Sequence, residues 1–93
     1  MTIRFFAYFR DPEYTGRKEM TMAAPHTVRD LGDALCSQFG SPFAEEFFNS
    51  GRTAPGDRII IMINGRRVEF LDGLDTLLRE SDVVQLFPVV AGG

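Results

Sequence analysis

The residues best suited to chemistry in this chain are the last two, Gly92 and Gly93, because Gly93 offers a free carboxylate. A carboxylate reacts with nucleophiles only after activation, most simply as an acyl-adenylate formed from ATP. A tail that enters another protein's active site must be thin and extended, and glycine lacks the Cβ that would block close backbone approach. The sequence therefore predicts that Gly93 reacts and that Gly92 is its spacer. The alternative is an inert chain end.

An apolar strand leads into this tail. The strand is predicted over residues 82–87, and Pro88 is expected to end its hydrogen-bonding ladder because proline lacks an N–H. We predict one domain over residues 1–93 with a flexible tail from about residue 88. The residues of this region expected to contact partners are Phe87, Pro88, Val89, Val90 and Ala91.

Composition limits the possible functions. Ninety-three residues, 44% of them hydrophobic and 25% charged, are typical of one globular domain. The net charge is −3, and the charges are interspersed, so neither nucleic acid nor a membrane is a predicted partner. The single cysteine, Cys36, cannot form an internal disulfide or a metal cluster. A cytoplasmic protein without a bound metal is predicted.

The first half of the chain predicts a β-hairpin followed by helices. Residues 2–9 and 17–23 alternate as strands around a loop at residues 11–16. Thr27 and Asp30 form a capping box, and Gly40 ends the helix that they begin. The core stripe of this helix is Val28, Leu31, Leu35 and Phe39. A second helical piece begins at Ser41-Pro42, with Phe43 and Phe47 on one side and Glu45 and Glu46 pointing elsewhere.

The second half predicts three more strands. Residues 58–63 are apolar on both faces, which places this strand inside a sheet. Asn64-Gly65 predicts a type I′ turn, because that turn needs two positive φ angles. A polar strand over residues 66–70 follows, then a connection with one turn at residues 75–78, and then the last strand. The order β-β-α-(α)-β-β-β predicts an α+β protein, with a mixed sheet of about five strands and one principal helix.

The nine phenylalanines exceed what one face of a small sheet buries. If Val84 and Leu86 face the helix, strand alternation turns Phe87 to the opposite side. Phe6 joins Phe87 there if Ile3, Phe5 and Ala7 are core. An apolar patch on an open sheet face indicates an interface. The alternative is that Phe43, Phe47 and Phe48 fold over that face.

The element order is that of the β-grasp, or ubiquitin-like, fold, and residues 63–93 (INGRRVEFLDGLDTLLRESDVVQLFPVVAGG) resemble the C-terminal half of the MoaD/ThiS sulfur carriers. The resemblance is strongest to the small subunit of molybdopterin synthase. Its most specific part is Leu86-Phe87-Pro88 leading to Ala91-Gly92-Gly93. The Thr15-Gly16-Arg17 hairpin and the Thr27-Val28 helix start also fit, so the resemblance covers nearly the whole chain. The segment from Ser41 to Asp57 is longer than a minimal carrier needs.

This resemblance implies a sulfur donor and not a free-standing enzyme. An ATP-dependent activating enzyme would adenylate Gly93, and a sulfurtransferase or cysteine desulfurase relay would convert the adenylate to a thiocarboxylate. The large subunit of molybdopterin synthase would then take up the tail and pass the sulfur to a pterin. The chain itself would bind no cofactor.

Three other functions stay open. Related carriers serve thiamine, cysteine or tRNA thiolation. A ubiquitin-like modifier would end in an isopeptide bond, and a plain β-grasp binding module would have an inert tail. The tail is apolar where ubiquitin carries arginines, and Lys18 is the only lysine, so chains linked through lysine have almost no acceptor. Both features favour the carrier.

Other reactive residues have simpler interpretations. Cys36 lies beside the helix stripe and is expected to be a partly buried hydrophobe. His26 is expected to be a surface residue. Arg66 and Arg67 flank a turn, where solvation is favoured over partner docking. Asp72 and Asp75 are expected in turn and cap roles.

Overall fold

A computed structural model of the chain describes residues 1–89, which form one mixed sheet and two helices. The strands are β1 (Thr2–Phe5), β2 (Glu19–Thr21), β3 (Ile59–Ile63), β4 (Arg66–Arg67) and β5 (Val83–Pro88). The helices are α1 (Val28–Phe39) and α2 (Ser41–Phe47). The strand order is β2-β1-β5-β3-β4, with β5 central, parallel to β1 and antiparallel to β3. This is the predicted β-grasp fold.

Helix α1 begins and ends where the sequence predicts. The Thr27 Oγ1 accepts a hydrogen bond from the Asp30 N–H at 3.2 Å, and the Asp30 carboxylate accepts one from the Thr27 N–H at 3.2 Å. Gly40 follows the last turn with φ of 86°, a conformation that glycine adopts without strain. The predicted stripe is confirmed, since its first three members are fully buried and Phe39 is half-buried.

Helix α2 adds aromatic rings to the α1 side of the sheet. Phe43 and Phe47 are fully buried, and the Phe43 ring packs edge-on against Phe5 with ring centroids 6.2 Å apart. A Cβ built on Gly32 of α1 would overlap the Phe47 and Phe48 rings, so this close approach of α1 and α2 requires glycine. The alternative in which these phenylalanines cover the opposite face is therefore wrong.

The prediction for Glu46 is also wrong. Its carboxylate is nearly buried, where the sequence pattern placed it away from the apolar side. The Tyr8 hydroxyl donates to one carboxylate oxygen at 3.3 Å, and the Arg58 Nε lies 3.5 Å from the other. These two partners, both distant in sequence, give the buried carboxylate the polar contacts that it needs.

The first strand ends earlier than its alternating pattern predicts. β1 stops at Phe5, and a 3₁₀ turn covers Ala7–Arg10, with Ala7 exposed at φ of 50° instead of buried. The turn carries Phe9 into the core, where the Thr15 Oγ1 donates to the Phe9 C=O at 2.6 Å. β2 is correspondingly shorter than residues 17–23, because a four-residue β1 offers few backbone partners.

The second half departs from prediction mainly after the Asn64-Gly65 turn. The two φ angles are 51° and 82°, which confirms the type I′ turn. β4 contains only two residues, and a 3₁₀ turn over Val68–Phe70 replaces the rest of the predicted strand and buries Val68. A further 3₁₀ turn lies at Gly73–Asp75, two residues before the predicted one. Neither helix among residues 1–89 has the length and apolarity needed to cross a membrane.

Pro88 does not end the ladder of β5. It lies within the strand, opposite Ile59, and the Val89 N–H donates to the Arg58 C=O at 2.8 Å. The backbone groups of residues 87 and 89 point toward β3, so the missing N–H of Pro88 falls on the β1 side. β1 has already ended there, and no ladder bond is lost.

Candidate functional site

Strand alternation divides the sheet into a buried face against the helices and an open face. Ile61, Val84 and Leu86 are fully buried on the helix side. The residues between them are half-buried and turn the other way. We call the apolar cluster on the open side the sheet-face patch; its members are Phe6, Ile60, Met62 and Phe87.

The centre of the sheet-face patch is an aromatic stack. The Phe6 and Phe87 rings lie nearly parallel, at an interplanar angle of 14°, with centroids 4.2 Å apart. The Phe6 N–H donates to the Leu86 C=O at 3.1 Å, which fixes the backbone of Phe6 beside β5. The predicted placement of both rings on the open face is confirmed; their contact with a partner stays a prediction.

Ile60 and Met62 belong to the patch but were not among the predicted site residues. Ile60 is the cross-strand partner of Phe87, and Met62 is the partner of Gln85. The sequence does contain an indication that these two side chains form an apolar surface, because residues 58–63 are apolar on both faces. That pattern indicated a strand covered on both sides, whereas in residues 1–89 only one of its faces is covered by protein.

The base of the tail is held at the centre of the sheet. The hydrogen bond from Val89 to Arg58 continues the β3–β5 ladder to the last described residue. Arg58 also lies against the buried Glu46 carboxylate, which connects the tail base to α2. Burial and the negative charge of Glu46 both raise the pKa of the neighbouring Tyr8, so its hydroxyl stays a hydrogen-bond donor at neutral pH.

The remaining predicted site residues, Val90, Ala91, Gly92 and Gly93, lie outside the described part of the chain. Covalent geometry alone limits their reach, since four residues span at most about 14 Å when fully extended. Any reaction at Gly93 therefore takes place within that distance of Val89. A partner that reacts with Gly93 would have to place its active site within that distance of the end of β5.

Cys36 is poorly placed for sulfur chemistry. It is half-buried on α1 and lines a cleft of about 450 Å³ formed with α2 and residues 49–52. Burial raises the pKa of its thiol, the nearby Asp33 carboxylate adds to the shift, and the Arg52 guanidinium opposes it. A thiol with a raised pKa is a weak nucleophile at neutral pH. This agrees with the interpretation of Cys36 as a packing residue.

The other candidate residues also have structural roles. His26 is exposed, and its C=O accepts a hydrogen bond from the Leu78 N–H at 3.1 Å. Asp72 and Asp75 join in a backbone turn, because the Asp75 N–H donates to the Asp72 C=O at 3.0 Å. Arg67 is exposed and donates twice to the Glu69 carboxylate, at 2.9 and 2.6 Å.

A family model and two relatives of known sequence agree on the family to which this chain is similar. The family model described as ThiS family matches residues 3–93. The chain is 35% identical over its whole length to small archaeal modifier protein 3 of Haloferax volcanii and covers 98% of that protein. It is 49% identical over 67 residues to a candidate sulfur carrier protein of Archaeoglobus fulgidus, covering 72% of this chain and 74% of the relative.

A solved structure extends the comparison to three dimensions. It is that of a candidate molybdopterin converting factor, subunit 1, from Pyrococcus furiosus. The two chains superpose with a TM-score of 0.71 and are 33% identical, over 96% of this chain and 95% of the other. The shared structure therefore includes the whole sheet.

Proposed function

Because this chain belongs to the ThiS family of ubiquitin-like sulfur carriers and modifiers, we propose that its Gly93 carboxylate is adenylated and then converted to a thiocarboxylate. The observation that carries the proposal is the position of β5. This central strand leads to the tail and presents Phe87 on the open face of the sheet.

The chemistry needs two substitution steps. An oxygen of the Gly93 carboxylate attacks the α-phosphorus of ATP, and pyrophosphate leaves. Hydrosulfide then attacks the carbonyl carbon. A C–S bond forms, the C–O bond to AMP breaks, and the product is a thiocarboxylate. If a sulfurtransferase or cysteine desulfurase relay supplies the sulfur as an enzyme persulfide, the same attack gives an acyl disulfide, and a second thiol must then cleave its S–S bond, which forms a disulfide with the relay cysteine and releases the thiocarboxylate.

The described residues contribute binding and orientation. The ladder from β5 to Arg58 fixes the direction in which the tail leaves the sheet. The sheet-face patch offers apolar area beside that exit, where a partner can dock within reach of Gly93. The partner residues that we propose are Phe6, Phe87, Pro88 and Val89, followed by Val90 and Ala91 along the tail.

For the sulfur acceptor we propose a pterin precursor of the molybdenum cofactor. In the active site of a large subunit that encloses the tail, the thiocarboxylate sulfur would attack an electrophilic carbon of the cyclic pterin phosphate and displace a phosphate oxygen. Water would then cleave the acyl C–S bond, which leaves the sulfur on the pterin and a carboxylate at Gly93. The support is the similarity, at 33% identity over nearly the whole chain, to a candidate molybdopterin converting factor subunit. Exclusion of bulk water from that active site before the transfer would protect the free thiocarboxylate from hydrolysis.

A second candidate function is protein modification. The full-length relative that is 35% identical carries the name of a modifier, and the same adenylate would react with a lysine amine to give an isopeptide bond. Lys18 is the only lysine of this chain, so any acceptor lysine would belong to another protein or to Lys18 of a second copy.

The test of the proposed reaction is ATP–pyrophosphate exchange catalysed by the adenylating enzyme of the same host. The chain as given should support exchange, and a variant with one alanine added after Gly93 should support none. A variant extended at Met1 serves as the control for added length. Exchange by the C-terminally extended protein would contradict the assignment of Gly93 as the reacting residue.

A further inference from the structure

A basic corner lies at the β1–β2 side of the open sheet face, next to the sheet-face patch. It surrounds a pocket of about 330 Å³ and comprises Arg4, Phe6, Arg10, Lys18 and Glu19. Phe6 belongs to both the corner and the patch, so the two surfaces are continuous. A partner that covers the Phe6–Phe87 stack therefore also meets the cations of this corner.

The positive charge of the corner is only partly compensated. The Arg4 Nε lies 3.1 Å from the Glu19 carboxylate, which neutralises one of the three cations. The Arg10 guanidinium lies over the Phe6 ring, 5.4 Å from its centroid, and its Nε donates to the Phe5 C=O at 2.8 Å. Within residues 1–89, neither Arg10 nor Lys18 forms an ion pair.

The opposite side of the domain has the opposite charge. The two helices carry one arginine against four carboxylates, and the whole chain has a net charge of −3. The corner thus holds two uncompensated cations in a protein that is acidic elsewhere. Charges that are arranged around an apolar contact in this way steer the approach of an oppositely charged partner and select against others.

We propose that the basic corner receives carboxylate side chains of the protein that covers the sheet-face patch. The partner surface would present an apolar side chain to Phe6 and at least one Asp or Glu to Arg10 and Lys18. This inference rests on the proposed function, since the partner that we propose is the activating enzyme. Two free cations on an acidic domain are too few for a phosphate backbone, so a protein is favoured over nucleic acid.

The first experiment measures ATP–pyrophosphate exchange with the host's adenylating enzyme as the carrier concentration and the NaCl concentration are varied. In the double variant Arg10→Gln/Lys18→Gln, the KM for the carrier should rise about ten-fold, with a smaller effect on kcat. Its kcat/KM should also depend less steeply on salt than that of the unmodified chain.

The matched control is Arg29→Gln/Arg79→Gln, which removes the same charge from exposed or half-exposed sites outside the corner. It should leave KM and the salt dependence as they are in the unmodified chain. Equal effects of the two double variants would mean that only net charge matters, and an unchanged KM in the corner variant would mean that no carboxylate docks there. Either result overturns the proposal, provided that thermal unfolding shows both variants to be folded.

A second experiment separates this proposal from the proposed function, because it needs no adenylating enzyme. The ¹⁵N-labelled chain is titrated with a synthetic peptide of alternating Glu and Phe, and in parallel with its Gln and Phe counterpart. Salt-sensitive shifts should appear for the amides of residues 4, 6, 10 and 18 with the acidic peptide alone. Equal shifts with both peptides, or none, overturn the proposal even if Gly93 is adenylated.

Host tRNA is the third titrant and tests the competing class of partner. Shifts of the same amides with tRNA, together with none from the acidic peptide, would identify a nucleic-acid site and overturn the proposal. If the unmodified chain supports no exchange, the proposed function fails, and the two titrations still decide what the corner binds.

Discussion

Phe87 lies between the buried core and the surface that we propose binds partners. Its neighbour Leu86 is fully buried against the helices, while the Phe87 ring is half-buried and stacks on Phe6 on the open face. The stack covers part of each ring and leaves an apolar surface two residues before the last described residue. A partner that encloses the tail would bury the Phe87 ring as an aromatic hot spot.

We predict that Phe87→Asp leaves the domain folded but weakens its association with the adenylating enzyme by about 2 kcal/mol or more, the scale of a buried hot spot. The folded domain loses the stack with Phe6, which contributes about 0.5–1.5 kcal/mol beyond area burial, and the partial burial of a ring that lies outside the core. Calorimetric titration against the enzyme measures the binding, and circular dichroism of the free variant measures the folding.

Phe70→Asp is the matched control for this substitution, because Phe70 is 79% exposed and lies outside the sheet-face patch. It should bind as the unmodified chain does. Equal weakening by the two substitutions, or normal binding by Phe87→Asp, would place the interface elsewhere.

A second prediction concerns Cys36, whose thiol should react slowly. Because burial raises the pKa of its thiol, less thiolate is present at any given pH than in a free cysteine. Alkylation of Cys36 by iodoacetamide at pH 8 should therefore be slower in the folded chain than in the urea-unfolded chain, which serves as the free-thiol reference, and its rate should level off at a higher pH. Mass spectrometry follows the reaction; alkylation faster than that of the free thiol would reopen a role for Cys36 in sulfur transfer.

At the scale of elements, the sequence predicts best where a local rule and the tertiary fold agree. The Thr27 capping box and the Asn64-Gly65 turn both depend on residues close in the chain, and both are confirmed. The alternation of β5 also predicts the open face correctly, since one face of that strand must be buried.

The predictions fail where distant contacts decide the structure. The alternating pattern continues past Phe5, but Phe9 reaches the core through a turn because it packs against Phe43, with ring centroids 5.6 Å apart. The burial of Glu46 depends on Tyr8 and Arg58, which no local pattern connects to it. The prediction that Pro88 ends β5 is wrong because the sequence does not show which neighbouring strand the missing N–H of Pro88 faces.

The stripe of α1 gives the element-scale prediction. Leu35 is fully buried, so Leu35→Ala should lower the free energy of unfolding by about 2–5 kcal/mol through lost burial and a residual cavity. Leu77→Ala is the control, because Leu77 is 61% exposed and should cost less than about 0.5 kcal/mol. Urea denaturation measures both; similar costs for the two would contradict the burial of this stripe.

At the scale of the whole molecule, stability and reactivity are assigned to different parts of the chain. Among residues 1–89, every residue of the buried hydrophobic core lies between Met1 and Leu86. The open face carries the sheet-face patch and the basic corner, and the proposed reacting atom belongs to Gly93. We therefore expect a change at Gly93 to alter the chemistry and to leave the fold of residues 1–89 intact.

Deleting Gly93 should leave the free energy of unfolding within about 0.5 kcal/mol of that of the full chain, as for a change outside the core. The same deletion should abolish sulfur transfer, because the carboxylate of Gly92 would stop one residue short of the reacting position. Thermal unfolding and a sulfur-transfer assay are measured on one preparation. Sulfur transfer by the shortened protein would contradict the proposed mechanism, and a large loss of stability would show that Gly93 also supports the fold.

The intact mass of the protein purified from its own host, followed by sequencing of the C-terminal fragment, shows whether Gly93 carries sulfur. A sulfur carrier should show a mass increase equal to the replacement of one oxygen by sulfur, located at Gly93. An unmodified Gly93, or a branched peptide in which Gly93 is joined to a lysine of another protein, would contradict the carrier assignment. The branched peptide would establish the modifier in its place.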